Sequence, residues 1–190
     1  GALIEATVAA RTWNCPTLVV MRGFLVTDAE AGFAREGGQY VNAMWRNFWT
    51  QRLASAERAE TFQALNDIWT DLARRLHEAD ARILLGTDTP NPWVVPGFAI
   101  HRELVNLVEI GMSPYEALEA GTRSAAECLG ALDEFGTVAV GRRADLLLLE
   151  ANPLEDVAHV RQRAGVMVRG SWMSEATLQE RLAKLAERVA

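Results

Sequence analysis

Long apolar runs are missing from this sequence. No stretch approaches the roughly 20 residues that a membrane span requires, so no membrane partner is expected. Positive charge is also scarce: 19 Lys and Arg stand against 25 Asp and Glu, a formal net charge of −6. That balance argues against nucleic acid and anionic membranes as partners. Cysteine is limited to Cys15 and Cys128, in apolar surroundings at unrelated spacing. The pattern is that of buried free thiols in a reducing compartment, not of a disulfide framework. The opening residues Gly1–Ala10 lack a basic n-region, so no signal peptide is visible and a cytoplasmic location is expected. What remains is ordinary globular composition, 49% hydrophobic and 23% charged in 190 residues. That suffices for a core in one or two domains.

The most informative run is Ile83, Leu84, Leu85, Gly86, Thr87, Asp88, Thr89, Pro90. Three aliphatic residues in a row read as a strand buried on both faces. Gly86 permits close approach to the backbone, and Pro90 ends the strand. Asp88 is thereby delivered to the carboxyl end of a core strand, where α/β proteins place ligands and metals. An Asx-type turn, with Asp88 bonding its own loop, is the competing reading.

Along the chain, Ala2–Ala10 suggests a helix and Trp13–Met21 a strand. Arg22–Gly38 reads as a loop with a short helix starting at Thr27 or Asp28. A long helical stretch is predicted from Val41 to Ala79, with Phe62, Leu65, Ile68, Trp69, Leu72 and Leu76 at helical spacing. Met44, Trp45, Phe48 and Trp49 form a bulky cluster before them, read as core packing or, second, as a ligand pocket. After the Asp88 strand, Ala99–Ile110 is amphipathic and Gly111 is its natural C′ residue. Ser113, Pro114 and Glu116 form a capping box with Pro at N1. Thr122 suggests a cap for a further short helix ending at Gly130. Gly136–Gly141, Ala144–Leu149 and Val166–Val168 then read as short strands, and Ser174–Ala190 as an amphipathic helix.

Strands alternating with helices, followed by short strands, indicate part of a parallel α/β domain and a small β subdomain. The parallel part has two strands, which cannot close a sheet or cover its edges. The first half of the chain therefore reads as the end of something larger.

At these residues the chain resembles the carboxyl-terminal part of the amidohydrolase superfamily, in its imidazolonepropionase-like and prolidase-like branch. The matching elements are Pro16-Thr17-Leu18, Gly86-Thr87-Asp88, Pro96-Gly97 and His101 with Glu103 and Leu104. They continue through Gly111, Pro114, Glu116, Ala117, Leu118, Thr122 and Ala125. Gly136-Thr137, Gly141, Ala144-Asp145-Leu146, Asn152-Pro153-Leu154, and Val166 with Gly170 complete the series.

The resemblance implies an α/β fold: the carboxyl-terminal part of a (β/α)8 TIM-like barrel, followed by a β-sandwich subdomain and a terminal helix. On that frame residues 1–132 supply strands seven and eight with their helices, 133–172 the sandwich strands, and 173–190 the last helix. A full barrel takes about 250 residues, so strands one to six are not in this chain. The family's divalent ions, commonly zinc, are held by a His-x-His pair, a lysine or carboxylate, later histidines and the strand-eight aspartate. Asp88 alone matches that set. His77, His101 and His159 lack His-x-His spacing, and His77 and His159 are expected at the surface. Zinc binding by this chain alone is therefore expected to be weak or absent.

The implied reaction is hydrolysis of a carbon–nitrogen bond in an amide, cyclic amide or dipeptide. Asp88 would act as metal ligand and proton shuttle, since a metal-bound water has its pKa lowered and a neighbouring carboxylate can take its proton. Arg22, Phe24 and Trp93 lie in loops that would face the site, which makes them candidate contacts for a small-molecule substrate. His101 reads first as a structural residue at the helix start and, second, as a further candidate substrate contact. Asp145 is expected to make a structural contact in the β subdomain. The expected partner is a missing amino-terminal barrel segment or companion chain, with a homo-oligomer as another way to cover the open strands. The alternatives are a non-catalytic fragment or split-barrel subunit, and a small interaction module with a fortuitous Gly-Thr-Asp.

Overall fold

Local capping signals set most of the helices. The computed structural model describes residues 1–189, and the last residue of the expected terminal helix, Ala190, lies outside them. Helix α1 spans Ala2–Ala9 and leads to a two-residue strand β1, Trp13–Asn14. The strand expected over Trp13–Met21 goes no further. Thr17 adopts a left-handed φ of 48°, and Leu18–Gly23 forms helix α2. An aliphatic triplet such as Leu18-Val19-Val20 suits a buried helix as well as a buried strand, and all three residues are buried. Tertiary contacts decide: the first two backbone N–H groups of α2 donate to the carboxylate of Glu103.

Asp28 caps α3, Ala29–Phe33, its Oδ1 accepting from the Ala31 N–H at 2.7 Å. The long helical stretch is two helices. Asn42 caps α4, Ala43–Thr50, and Ser55 caps α5, Ala56–Glu78. Leu65, Ile68 and Trp69 on α5 are exposed, whereas Ala73 and Asn66 are buried. Strand β2, Arg82–Ile83, pairs in parallel with β1, Trp13 opposite Arg82 and Asn14 opposite Ile83. Beyond it the Leu84 N–H still reaches the Asn14 carbonyl at 2.8 Å, but the Leu85 N–H turns to Ala120.

Three helices follow: α6 Ala99–Glu109, α7 Pro114–Ala120 and α8 Arg123–Cys128. The capping box at Ser113 and Glu116 forms as expected. Thr122 does not cap α8; its hydroxyl donates backwards to the Leu118 carbonyl at 2.8 Å.

Residues 136–141 are not a strand; among the described residues no segment pairs with them, and Val138 and Val140 are exposed. The β3 strand, Leu146–Leu149, pairs antiparallel with β4, Arg163–Val168. A two-residue turn with positive φ at Arg169 (49°) and Gly170 (81°) returns the chain as β5, Ser171–Ser174, a strand not expected from the sequence. Helix α9, Glu175–Val189, packs on β4 and β5. Leu146, Leu147, Leu148 and Trp172 remain exposed on this sheet.

One core cluster joins Leu18, Ile83, Leu104 and Leu107 to Val157 and Val160 of the turn before β4. A second, aromatic cluster gathers Val26, Val41, Trp49 and Trp93. Neither cysteine belongs to a core: Cys15 and Cys128 are both exposed free thiols, contrary to the burial expected of them.

Candidate functional site

Asp88 follows the parallel pair β1–β2 by way of Gly86 and Thr87. A Cβ at Gly86 would collide with the Cys15 sulfur, so the close approach at this point requires glycine. Asp88 itself has a left-handed φ of 47°, a conformation that Asp tolerates better than most residues. Asn91 fixes the turn: its Nδ2 donates to the Asp88 carbonyl at 2.8 Å and to Asp88 Oδ2 at 2.9 Å. Oδ1 makes no hydrogen bond among the described residues, and the residue is exposed. The Asx-like loop bond and an open carboxylate oxygen therefore coexist.

The carboxylate opens onto a hollow of about 310 Å³ lined by Phe24, Trp45, Phe48, Arg52 and the 88–92 turn. Its wall is ordered by aromatic packing. Phe24 stacks on Phe62 at 5.2 Å, and Trp45 meets Phe48 edge-on at 5.4 Å. The Arg52 guanidinium lies 3.6 Å above the Phe48 ring. The arrangement offers one negative group and one positive group at an apolar wall. That suits a substrate with an apolar body and a polar reacting end. Arg52 carries no signal in the sequence, where it falls inside the expected Val41–Ala79 helical stretch; Trp45 and Phe48 read there first as core packing.

The other expected contacts do not converge here. Trp93 is only 4% exposed and packs against Phe33 and Trp49, centroids 4.9 and 5.9 Å away, so it supports the wall from within the core instead of facing a ligand. Arg22 donates to Asn106 Oδ1 and pairs with Glu109, each at 2.6 Å, and lines a different hollow. His101 is buried; its Nδ1 sits 2.9 Å from Glu36 Oε1, and its ring meets Phe98 edge-on. Glu36 also pairs with Arg161 at 3.0 Å. His77 and His159 are half-buried, and His159 Nδ1 lies 2.8 Å from the Asn152 carbonyl. Asp145 makes the structural contact expected of it: its oxygens accept from the Arg169 N–H at 2.7 Å and from Arg143 Nε at 2.5 Å, and these bonds, the Arg169 one foremost, lower its pKa.

Charge near Asp88 reaches Cys15. Although Cys15 is exposed as a residue, partial desolvation of its sulfur, then the charges of Glu103 and Asp88, push that thiol's pKa up and disfavour the thiolate. Among the described residues no three His, Cys, Asp or Glu side chains come together as a metal site. Asp88 offers one carboxylate, so this chain by itself does not fit a metal centre.

The sequence profile of the Amidohydrolase family matches residues 37–173. An imidazolonepropionase of Deinococcus deserti is 41% identical over 87 residues, covering 45% of this chain and 21% of that protein. The structure of a bottromycin amidohydrolase superposes with a TM-score of 0.74 at 26% identity, over 94% of this chain and 40% of that one. A Xaa-Pro dipeptidase structure superposes with a TM-score of 0.67 at 20% identity, over 90% of this chain and 36% of that one. The stretch shared with the imidazolonepropionase is about a fifth of that protein's length. With the profile match taking in the Gly86-Thr87-Asp88 turn, the capping box and strands β3 and β4, this chain belongs to the Amidohydrolase family.

Proposed function

We propose that this chain is the carboxyl-terminal portion of a (β/α)8-barrel amidohydrolase that hydrolyses a carbon–nitrogen bond with the help of a divalent metal ion. On this reading residues 1–132 complete the barrel, 133–172 contribute sandwich strands, and 173–190 form the closing helix. The observation that carries it is the open Asp88 carboxylate, which follows a parallel strand pair at the mouth of an aromatic hollow. The exposed leucines of β3 and the open edges of the β1–β2 pair support a larger assembly.

In the complete protein Asp88 would be one ligand of the ion, the remaining ligands coming from residues outside this chain. A divalent ion held there, with zinc as the first candidate, would supply Lewis-acid chemistry: a lowered pKa for water and a polarised carbonyl. Asp88 takes the proton of the attacking water and delivers it to the leaving nitrogen. The left-handed turn and the Asn91 bond hold the carboxylate in place for both transfers. Phe24, with Trp45 and Phe48, accepts the apolar part of the substrate. Of the four contacts expected beside Asp88, Phe24 alone lines this hollow, so it is the one assigned to substrate.

The test compares the 190-residue chain with the same chain carrying its upstream barrel residues. The short chain should hold far less than one zinc ion and show no turnover of cyclic amides or Xaa-Pro dipeptides. The longer one should bind zinc stoichiometrically and hydrolyse one of these classes. Stoichiometric zinc on a purified monomer of the short chain would overturn this reading, as would a longer chain with no metal-dependent turnover.

A further inference from the structure

The Arg22 hollow carries chemistry that the proposed hydrolysis does not use. It is the larger of the two, about 530 Å³. Four guanidinium-bearing residues, Arg22, Arg35, Arg102 and Arg161, line it together with Asn66 and Asn106. They come from different parts of the fold: Arg22 from α2, Arg35 from the segment after α3, Arg102 from α6 and Arg161 from the turn before β4. The convergence is notable in a chain whose formal net charge is −6. None of these residues also lines the hollow at Asp88.

Two of the four are neutralised within the chain. Arg22 pairs with Glu109 at 2.6 Å, and Arg161 with Glu36 at 3.0 Å. Arg35 and Arg102 are half-buried, and among the described residues no carboxylate lies within 4.0 Å of either. Burial lowers the pKa of both. For Arg102 the charges of Arg35, Arg161 and Arg22 lower it further, against the opposing pull of Glu36. Arginine nevertheless stays charged at neutral pH. Two unpaired, partly desolvated like charges disfavour the empty state, and an anion between them removes that penalty. The planar guanidinium fork matches two oxygens of a phosphoryl or carboxylate group. The apolar flanks Val19, Leu25 and Val105 make a concave hollow, not a flat basic patch. A compact ligand fits that shape better than an acidic protein surface does.

We propose that this arginine-lined hollow is a binding site for a small oxyanion, a phosphoryl or carboxylate group, gripped by Arg35 and Arg102 and bordered by Arg22 and Arg161. The site rests on this chain's residues alone and stands or falls separately from the hydrolase reading.

The test titrates the metal-free protein carrying its upstream residues with inorganic phosphate and, separately, with succinate at constant ionic strength set by NaCl. Binding is read by calorimetry and by the rise in Tm. One of the two anions should bind saturably and raise Tm where NaCl does not. The preferred probe tells which oxyanion the site takes. R35Q and R102Q should each weaken binding at least about tenfold, while the exposed R188Q should not. Without anion, R102Q should melt at or above the wild-type temperature, because it removes an unpaired charge; a purely structural arginine would give the opposite. The inference is overturned if neither anion binds, or if binding survives both R35Q and R102Q. Capture of polyglutamate without binding of either small anion also overturns it, and would mark the hollow as a docking surface for an acidic segment.

Discussion

Glu103 holds the start of the Leu18–Gly23 helix: Oε1 accepts from the Leu18 N–H at 2.8 Å and Oε2 from the Val19 N–H at 2.7 Å. Asn106 Nδ2 adds a third donor to Oε2 at 2.9 Å. Glu103 is 0% exposed. The helix it caps packs against α5 and α6 and leads into Phe24 at the Asp88 hollow.

Glu103→Ala should therefore cost about 3 kcal/mol or more, because it strands buried donors that water cannot reach. Urea unfolding measures the loss. Glu103→Gln restores one acceptor but turns an NH2 group toward the other N–H, so only part of the stability should return.

The same carboxyl gives a pH signature. Burial raises its pKa above the ordinary 4.5, with the hydrogen bonds from Asn106, Val19 and Leu18 opposing that rise. A raised acid pKa means that the folded state keeps its proton longer than the unfolded chain. The contribution is thus fully present below 4.5 and is lost as pH rises through the folded value. Unfolding free energy measured upward from that pH should show this fall in the wild type and lack it in Glu103→Gln.

The capping box of α7 behaves in the opposite sense. Ser113 donates through its hydroxyl and its N–H to Glu116 Oε2, both at 2.7 Å, and these bonds lower the Glu116 pKa. Its contribution is present above the ordinary 4.5 and fades as pH falls through the lower folded value. Solvent exposure keeps it small. Ser113→Ala should cost about 1 kcal/mol at neutral pH, checked by urea unfolding.

Trp93 is a wall support, so its loss should be felt in stability first. Trp93→Ala should cost about 3–5 kcal/mol. Gly32→Ala should also destabilise, since a Cβ there would press on the Trp93 ring at 2.5 Å. Thermal unfolding of both variants checks this.

These contacts mark what was legible in the sequence. Ser113-Pro114-Glu116 is legible because a cap is formed by residues three apart, and of the two starts open for α3, Thr27 and Asp28, the structure uses Asp28. Leu18-Val19-Val20 misread because its helix is completed by Glu103, 85 residues away. Gly136–Gly141 has strand-like composition, but a strand exists only with a partner, and none pairs with it among the described residues. The β4–β5 hairpin had a usable sign in Arg169-Gly170, two turn residues between apolar stretches. Asp88 stands out in the sequence as a carboxylate after an aliphatic run, although β2 ends at Ile83, because the Leu85 N–H turns away to Ala120. Arg52 and the convergence of Arg35 with Arg102 depend on tertiary packing and left no local pattern.

The role of Asp88 is tested most directly by turnover of the zinc-loaded protein with its upstream residues, assayed on cyclic amides and Xaa-Pro dipeptides as wild type and Asp88→Asn. Asparagine keeps the size of the side chain and the turn-forming oxygen but cannot take a proton. The expected result is a fall in kcat of at least about a hundredfold with Tm unchanged. Undiminished turnover in Asp88→Asn would contradict the assignment.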